Sequence, residues 1–436
     1  MTRANRPLFI VLIGILLLVL SFIDNILMSS FLDSIVKRQS ALNFYGFVSI
    51  VSACTAGQIM ILYSVNKTYT KFAIKPTKYS GAIQILAILS ICLNISLFSI
   101  LIYQMFHYMS YDSWIFKSII FSSYSFSLIN MGFLIQYFLS WLRKNRNLIV
   151  LIYCLALAVY VMNEICSIII LNTQLEGRSQ KISFIPNPWD STSLRILFLT
   201  DFYKFSSIIS FSLTWLATSL LMYHYTRKIG KRKFWLLVSL PLIYYVGNID
   251  IIRASIFSYF IYSSPSLVWI IQMLLGGVKQ VGGFFFALAF IIISRNVDSQ
   301  NLKYYLLVSA VGIMLLFSSN QISLIQIIPY PPFGLATISL ISISSFLTLT
   351  GLFSLAYSMA HDKKLLENAR RIVKEKASRF LYDIGSSQWQ KDIDSTVTAI
   401  MNSRSIDDPA NAPTSLTRDE LKDYIEEVTK ERDRKV

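Results

Sequence analysis

An all-α, polytopic membrane bundle of about ten helices is the fold this sequence predicts, and three observations predict it. The 436-residue chain is 54% hydrophobic and only 15% charged, whereas a soluble protein carries about 25% charged residues. Its apolar residues fall in runs long enough to span a bilayer, for which about 20 residues suffice as a helix. Its basic residues cluster in alternate connections between those runs, as the positive-inside rule requires.

The spans read in order as 7–28, 42–64, 80–103, 114–141, 147–171, 196–225, 234–262, 266–294, 304–329 and 332–360. The first has no small-residue cleavage site and runs on through Phe22 and Ile23, so it reads as a span rather than a signal peptide. Several are longer than a bilayer needs, which implies tilt or extension beyond the hydrocarbon. With the N-terminus inside, the inner connections hold 16 Lys and Arg residues and the outer ones 5: Lys37, Arg38, Arg178, Lys181 and Arg195. This predicts a multi-pass cell-membrane protein with both termini cytoplasmic. The formal charge of +16 belongs to residues 1–360, because 361–436 hold 15 basic and 15 acidic residues. Topology therefore explains the basic excess, and no nucleic-acid partner is expected; the bilayer is the partner that composition implies.

The outer turns Ser263-Ser264-Pro265 and Tyr330-Pro331-Pro332 are tight. The connection 172–195 is longer, with Pro186, Pro188 and Trp189 before a Ser/Thr run suited to a helix N-cap. It reads as an interfacial linker or as a lid over an outward-facing pocket. Residues 361–436 form a helical cytoplasmic tail. Leu365, Ala369, Ile372, Phe380 and Ile384, then Trp389, Ile393, Val397 and Ile400, recur at near-helical spacing. Ser405 to Ser415 is a linker, and Thr417 with Glu420 opens a last helix as a capping box. The tail has too little apolar surface for a large core, so it is expected to pack on itself, on a cytoplasmic protein or as a homodimer.

Six ionisable residues interrupt the apolar spans: Glu164, Asp201, Lys204, Asp250, Arg253 and Lys279. A charge in hydrocarbon costs roughly 2.5–3.5 kcal/mol on insertion scales and marks a site or an internal pair. All six lie roughly 8–20 Å below the outer surface at helical rise. Asp201 with Lys204, and Asp250 with Arg253, are i, i+3 neighbours that can neutralise each other locally. Glu164 and Lys279 need partners on other helices. The expected site is a polar cavity between spans five and eight, binding a small polar or charged ligand. Gly276, Gly277, Gly282 and Gly283 surround Lys279 and fit either close helix packing or an unwound segment. Asn163, Asn248, Tyr244, Tyr245, Asn320 and Gln321 stand at similar depth and can add hydrogen bonds, while Asp24 and Lys117 are expected at the membrane interface.

The four cysteines, Cys54, Cys92, Cys154 and Cys166, lie in apolar stretches without a C-x-x-C pair, and His107, His224 and His361 are far apart. Neither a metal site nor a cofactor is expected. H-E-x-x-H, G-x-S-x-G and P-loop motifs are absent from the sequence, and an enzyme is not expected. His361-Asp362 follows the last span where a sensor kinase begins its dimerisation helix, but the tail is too short for an ATP-binding domain.

The segment YYLLVSAVGIMLLFSSNQISLIQIIPYPPFGLATISL, the span end LFSLAYSMAHDKKLLENARRI and LYDIGSSQWQKDI resemble a group of uncharacterised multi-pass membrane proteins of ammonia-oxidising archaea. That group shares a YPPFG turn between its last two spans and an IG-S/T-x-Q segment in its tail. The resemblance covers about a fifth of the chain and implies a plasma-membrane protein with this tail, with no activity attached. The expected function is receptor-like, with the cavity coupled through span ten to the tail. A secondary transporter with five-plus-five inverted repeats and a structural subunit of a membrane complex are the alternatives.

Overall fold

The computed structural model describes residues 6–34, 41–71, 78–144, 146–175, 181–183, 194–223, 230–242, 278–295, 297, 299–320, 330–361, 383–395 and 398. The fold is all-α, as predicted. Its helices are α1 (Arg6–Ser34), α2 (Ala41–Lys71), α3 (Lys78–Tyr108), α4 (Ser113–Lys144), α5 (Leu148–Leu175) and α6 (Leu194–Tyr223). They continue with α7 (Lys231–Ser239), α8 (Val278–Arg295), α9 (Gln300–Ser319), α10 (Leu335–His361) and α11 (383–395). Among the described residues, eight helices (α1–α6, α9 and α10) are long and apolar enough to cross a membrane. α8 is shorter but apolar. The second half of expected span eight is thus helical, whereas most of expected span seven lies outside the described residues.

α9 and α10 form the centre. Nearly all their side chains are buried, and α1, α4 and α8 pack around them. Two glycines set how closely these two helices approach. A Cβ on Gly312 would lie 2.5 Å from the Thr348 backbone nitrogen, and one on Gly351 would lie 2.7 Å from that of Ser309. Such contact needs residues without side chains, as in other membrane helix pairs. α10 is rich in buried Ser and Thr, yet needs few outside partners. Ser344 and Ser345 bond to the carbonyls of Ile341 and Ser342, and Thr348 and Thr350 to those of Ser344 and Phe346. Back-bonding satisfies each hydroxyl within its own helix. Cross-helix bonds from Gln58 to Ser339 and from Asn130 to Ser345 then tie α2 and α4 to it.

At one end of the bundle, the turn 330–334 leads into α10. Here β1 (Ser110–Asp112) pairs antiparallel with β2 (Lys181–Ser183). Gln104 clamps this corner by donating to Asp112 Oδ2 at 2.7 Å and accepting from its backbone N–H at 2.9 Å. The Tyr111 and Tyr330 rings stack at 6.0 Å. Part of connection 172–195 is therefore strapped to the α3–α4 corner; Trp189 and the prolines lie outside the described residues. α6 begins at Leu194, directly after the Ser/Thr run.

At the opposite end, α11 docks against α4 and α5. Trp141 Nε1 donates to Gln388 Oε1 at 3.0 Å, and Ser387 donates to the Trp141 carbonyl at 3.2 Å. Asn147 Nδ2 donates to Asp383 Oδ2 at 2.8 Å, and Lys144 pairs with Asp394. Ile384 and Ile393 are buried. The half-buried Lys391 ammonium lies 4.6 Å from the centre of the Tyr137 ring, and burial pushes its pKa down against the opposing pull of Asp392. The remainder of the tail, with its linker and last helix, lies outside the described residues.

Candidate functional site

Two fully buried carboxyl groups stand out, and they are handled oppositely. Asp24 on α1 was expected at the interface; it is instead 0% exposed and caps the start of α10. Its Oδ1 accepts the Gly334 N–H at 2.7 Å, and its Oδ2 accepts the Thr337 N–H at 3.1 Å and hydroxyl at 2.8 Å. The first N–H groups of a helix lack partners inside it, and a carboxylate there also meets the positive end of the helix dipole. Gly334 makes the turn possible with φ 90°, and Phe333 seats it edge-on against Phe47 at 5.8 Å. A sequence reader places Asp24 by depth alone; the signal that finds it is YPPFG followed by a helix with no acid or Ser at its own N-cap.

Glu164 on α5 is also 0% exposed. Ser127 of α4 donates to its Oε1 at 2.5 Å. Its Oε2 is buried with no partner at hydrogen-bond geometry among the described residues. The Tyr160 side chain is beside the carboxyl, but its hydroxyl donates to the Leu316 carbonyl at 3.1 Å.

Adjacent to Glu164 in sequence, Asn163 anchors a connected polar centre. Its amide donates to the Tyr203 carbonyl and Ser206 Oγ, both at 2.9 Å. Its Oδ1 accepts from Asn320 at 2.6 Å. Asn320 Oδ1 in turn accepts from the hydroxyls of Tyr124 at 3.0 Å and Tyr203 at 3.1 Å. Side chains from α4, α5, α6 and the end of α9 thus converge. Asn163 and Asn320 behave as their depth predicted; Ser127, Tyr124, Tyr160 and Tyr203 were not singled out, because Ser and Tyr are common throughout these spans.

The centre coincides with the end of a helix inside the bundle. Span nine was expected to run to 329, but α9 ends at Ser319, and Asn320 is extended with φ −82° and ψ 96°. Its partners on α4, α5 and α6 lie roughly two and a half to three turns in from their helix ends. A helix ending at such depth leaves carbonyls to be satisfied by protein. Tyr160 takes the Leu316 carbonyl and Tyr203 approaches that of Asn320 at 3.5 Å. A small void of about 10 Å³ lies between Tyr160, Asn163, Ser210, Phe211, Phe317 and Asn320. That is room for about one water.

The other sequence-predicted site residues divide. Asp201 is exposed and Lys204 partly exposed on α6, whereas Tyr203 between them turns inward to Asn320. Asp250 and Arg253 lie outside the described residues, as do Asn248, Tyr244, Tyr245 and Gln321. Lys279 stands at the start of α8. Of its glycines, Gly282 and Gly283 serve close packing: a Cβ would strike the Phe211 ring or fall 2.6 Å from the Met314 carbonyl oxygen. Lys117 bonds to Asn172 Oδ1 near the end of α5. Among the described residues no group of His, Cys, Asp and Glu is arranged to hold a metal ion.

No family model matches the chain, and no curated protein or solved structure is significantly similar to it.

Proposed function

We propose that the protein is a receptor-like integral membrane protein in which the Glu164 centre takes up a small polar or charged species and the α4–α5 pair carries the response to the tail. The observation that carries this reading is one of connectivity. Glu164 and its hydrogen-bond donor Ser127 sit on α5 and α4, and α11 is seated through Trp141 of α4 and Asn147, the residue that precedes α5. A half-satisfied carboxyl in a dry interior is a group whose partners must change when a proton, a cation or a cationic ligand arrives. Ten spans with both termini cytoplasmic in the cell membrane complete the reading.

The test is hydrogen exchange of 383–395 in the full-length protein in nanodiscs, comparing wild type with Glu164→Gln. A relay predicts several-fold altered exchange in α11 without loss of the bundle's own protection. Identical tail exchange in the two proteins would sink it. A second reading, a secondary transporter, is favoured by the end of α9 at depth, since carbonyl-bearing helix ends bind coupling cations in broken-helix transporters. Vesicle uptake of a solute abolished by Glu164→Gln, with tail exchange unchanged, would select transport.

A further inference from the structure

A second polar feature lies apart from the Glu164 centre, at the 330–334 end of the bundle. It is an open groove of about 430 Å³ between α4, α5 and α6, lined by Lys117, Phe121, Ile168, Ile169, Asn172, Thr173 and Arg195. Two of these are cations and none is an acid. The Lys117 ammonium is held by Asn172 Oδ1 and lies 5.4 Å from the centre of the Phe121 ring. An ammonium has three donors, and Asn172 takes one. Arg195 is exposed in the first turn of α6 and brings a planar fork of donors suited to phosphate. Below the cations the lining turns apolar, and exposed Leu197, Phe198 and Ile165 continue the apolar surface that faces lipid in a membrane bundle. Lys117 and Arg195 stand within about a turn of their helix starts, which is headgroup depth.

The geometry points to a binding site for an anionic phospholipid, with the phosphodiester held between Lys117 and Arg195 and an acyl chain lying over Phe121, Ile168 and Ile169. A soluble anion would use the cations but has nothing to place on the apolar floor; a lipid uses both halves. A basic pocket between membrane helices is one known form of anionic-headgroup recognition. The site rests on the membrane reading of the bundle and is independent of any role for Glu164.

The test is native mass spectrometry of the full chain released from micelles containing equal phosphatidylglycerol and phosphatidylcholine. The wild type retains phosphatidylglycerol preferentially. Lys117→Gln and Arg195→Gln each weaken that retention about 5-fold, and the double variant about 30-fold, at roughly the surface value of one cation each. Lys117→Arg retains it, and unchanged melting temperatures show that the variants fold. Equal retention of the two lipids by the wild type, or full retention by the double variant, overturns the site. If inorganic phosphate displaces phosphatidylglycerol at matched concentration, the groove is a soluble-anion site and the lipid assignment fails.

Discussion

Asp24 and Glu164 are both 0% exposed carboxyl groups in one bundle, yet they differ in what surrounds them. Asp24 accepts three strong hydrogen bonds from Gly334 and Thr337 at the start of α10, so both of its oxygens are used. Glu164 accepts one close bond, from Ser127, has the Tyr160 side chain beside it, and its second oxygen has no partner at hydrogen-bond geometry among the described residues. The same side-chain chemistry at the same burial therefore does two jobs. A fully partnered buried acid holds a helix start in place, and changing it costs stability. A half-partnered one is held by the fold around it and is open to a ligand. The count of partners, not the burial, separates structure from candidate function.

The largest effect should come from Asp24. Asp24→Asn places an amide where the two Thr337 donors point, and Asp24→Ala leaves all three donors buried and unanswered. Either should lower stability by about 3 kcal/mol, the cost of losing a helix cap made of charge-assisted bonds. Thermal melting in detergent measures this. A melting temperature within a degree of wild type would break the comparison on its structural side.

Why one acid was legible in the sequence and the other was not follows from this contrast. Depth along a span is readable from residue number, so Glu164 and Asn163 were placed correctly inside the bundle. Partners are set by which helices meet, which depends on packing between segments more than 150 residues apart: Asp24 meets Thr337 and Asn163 meets Asn320. Depth alone put Asp24 at the interface. Apolar length predicted ten spans, and among the described residues eight helices are long and apolar enough to cross a membrane; hydropathy does not register a helix end such as Asn320, because the residues after it stay apolar. The i, i+3 spacing of Asp201 and Lys204 did describe one helical stretch, yet it could not tell that Asp201 faces outward while Tyr203 faces in.

Glu164→Gln should behave oppositely to Asp24→Asn. The amide keeps an oxygen for the Ser127 hydroxyl and removes an ionisable group from a dry site. Stability should stay within about 1 kcal/mol of wild type or rise, while coupling to the tail is lost. If melting shows Glu164→Gln to be as damaging as Asp24→Asn, Glu164 has a structural counter-charge and the distinction collapses. Tyr160→Phe separates the two roles within the centre. It strips the Leu316 carbonyl of its donor and should cost about 1–2 kcal/mol, a loss of packing order rather than of signalling.

The same rule grades the contacts that seat the tail and gives the smallest effects. Trp141 and Gln388 are 1% and 4% exposed, so Trp141→Phe strands a buried acceptor and should weaken docking of α11 by about 1 kcal/mol. Lys144 and Asp394 pair nearby with side chains 32% and 29% exposed. Water competes for both charges there, and two flexible side chains must be ordered to form the pair. Lys144→Gln should therefore cost no more than about 0.5 kcal/mol and should lose even that in high salt. Exchange rates of 383–395 in the two variants, at low and high ionic strength, read both values in one experiment. A Lys144→Gln effect equal to that of Trp141→Phe, and insensitive to salt, would mean that charge rather than buried partnering holds the tail, and the rule drawn from the two acids would not extend beyond the bundle's interior.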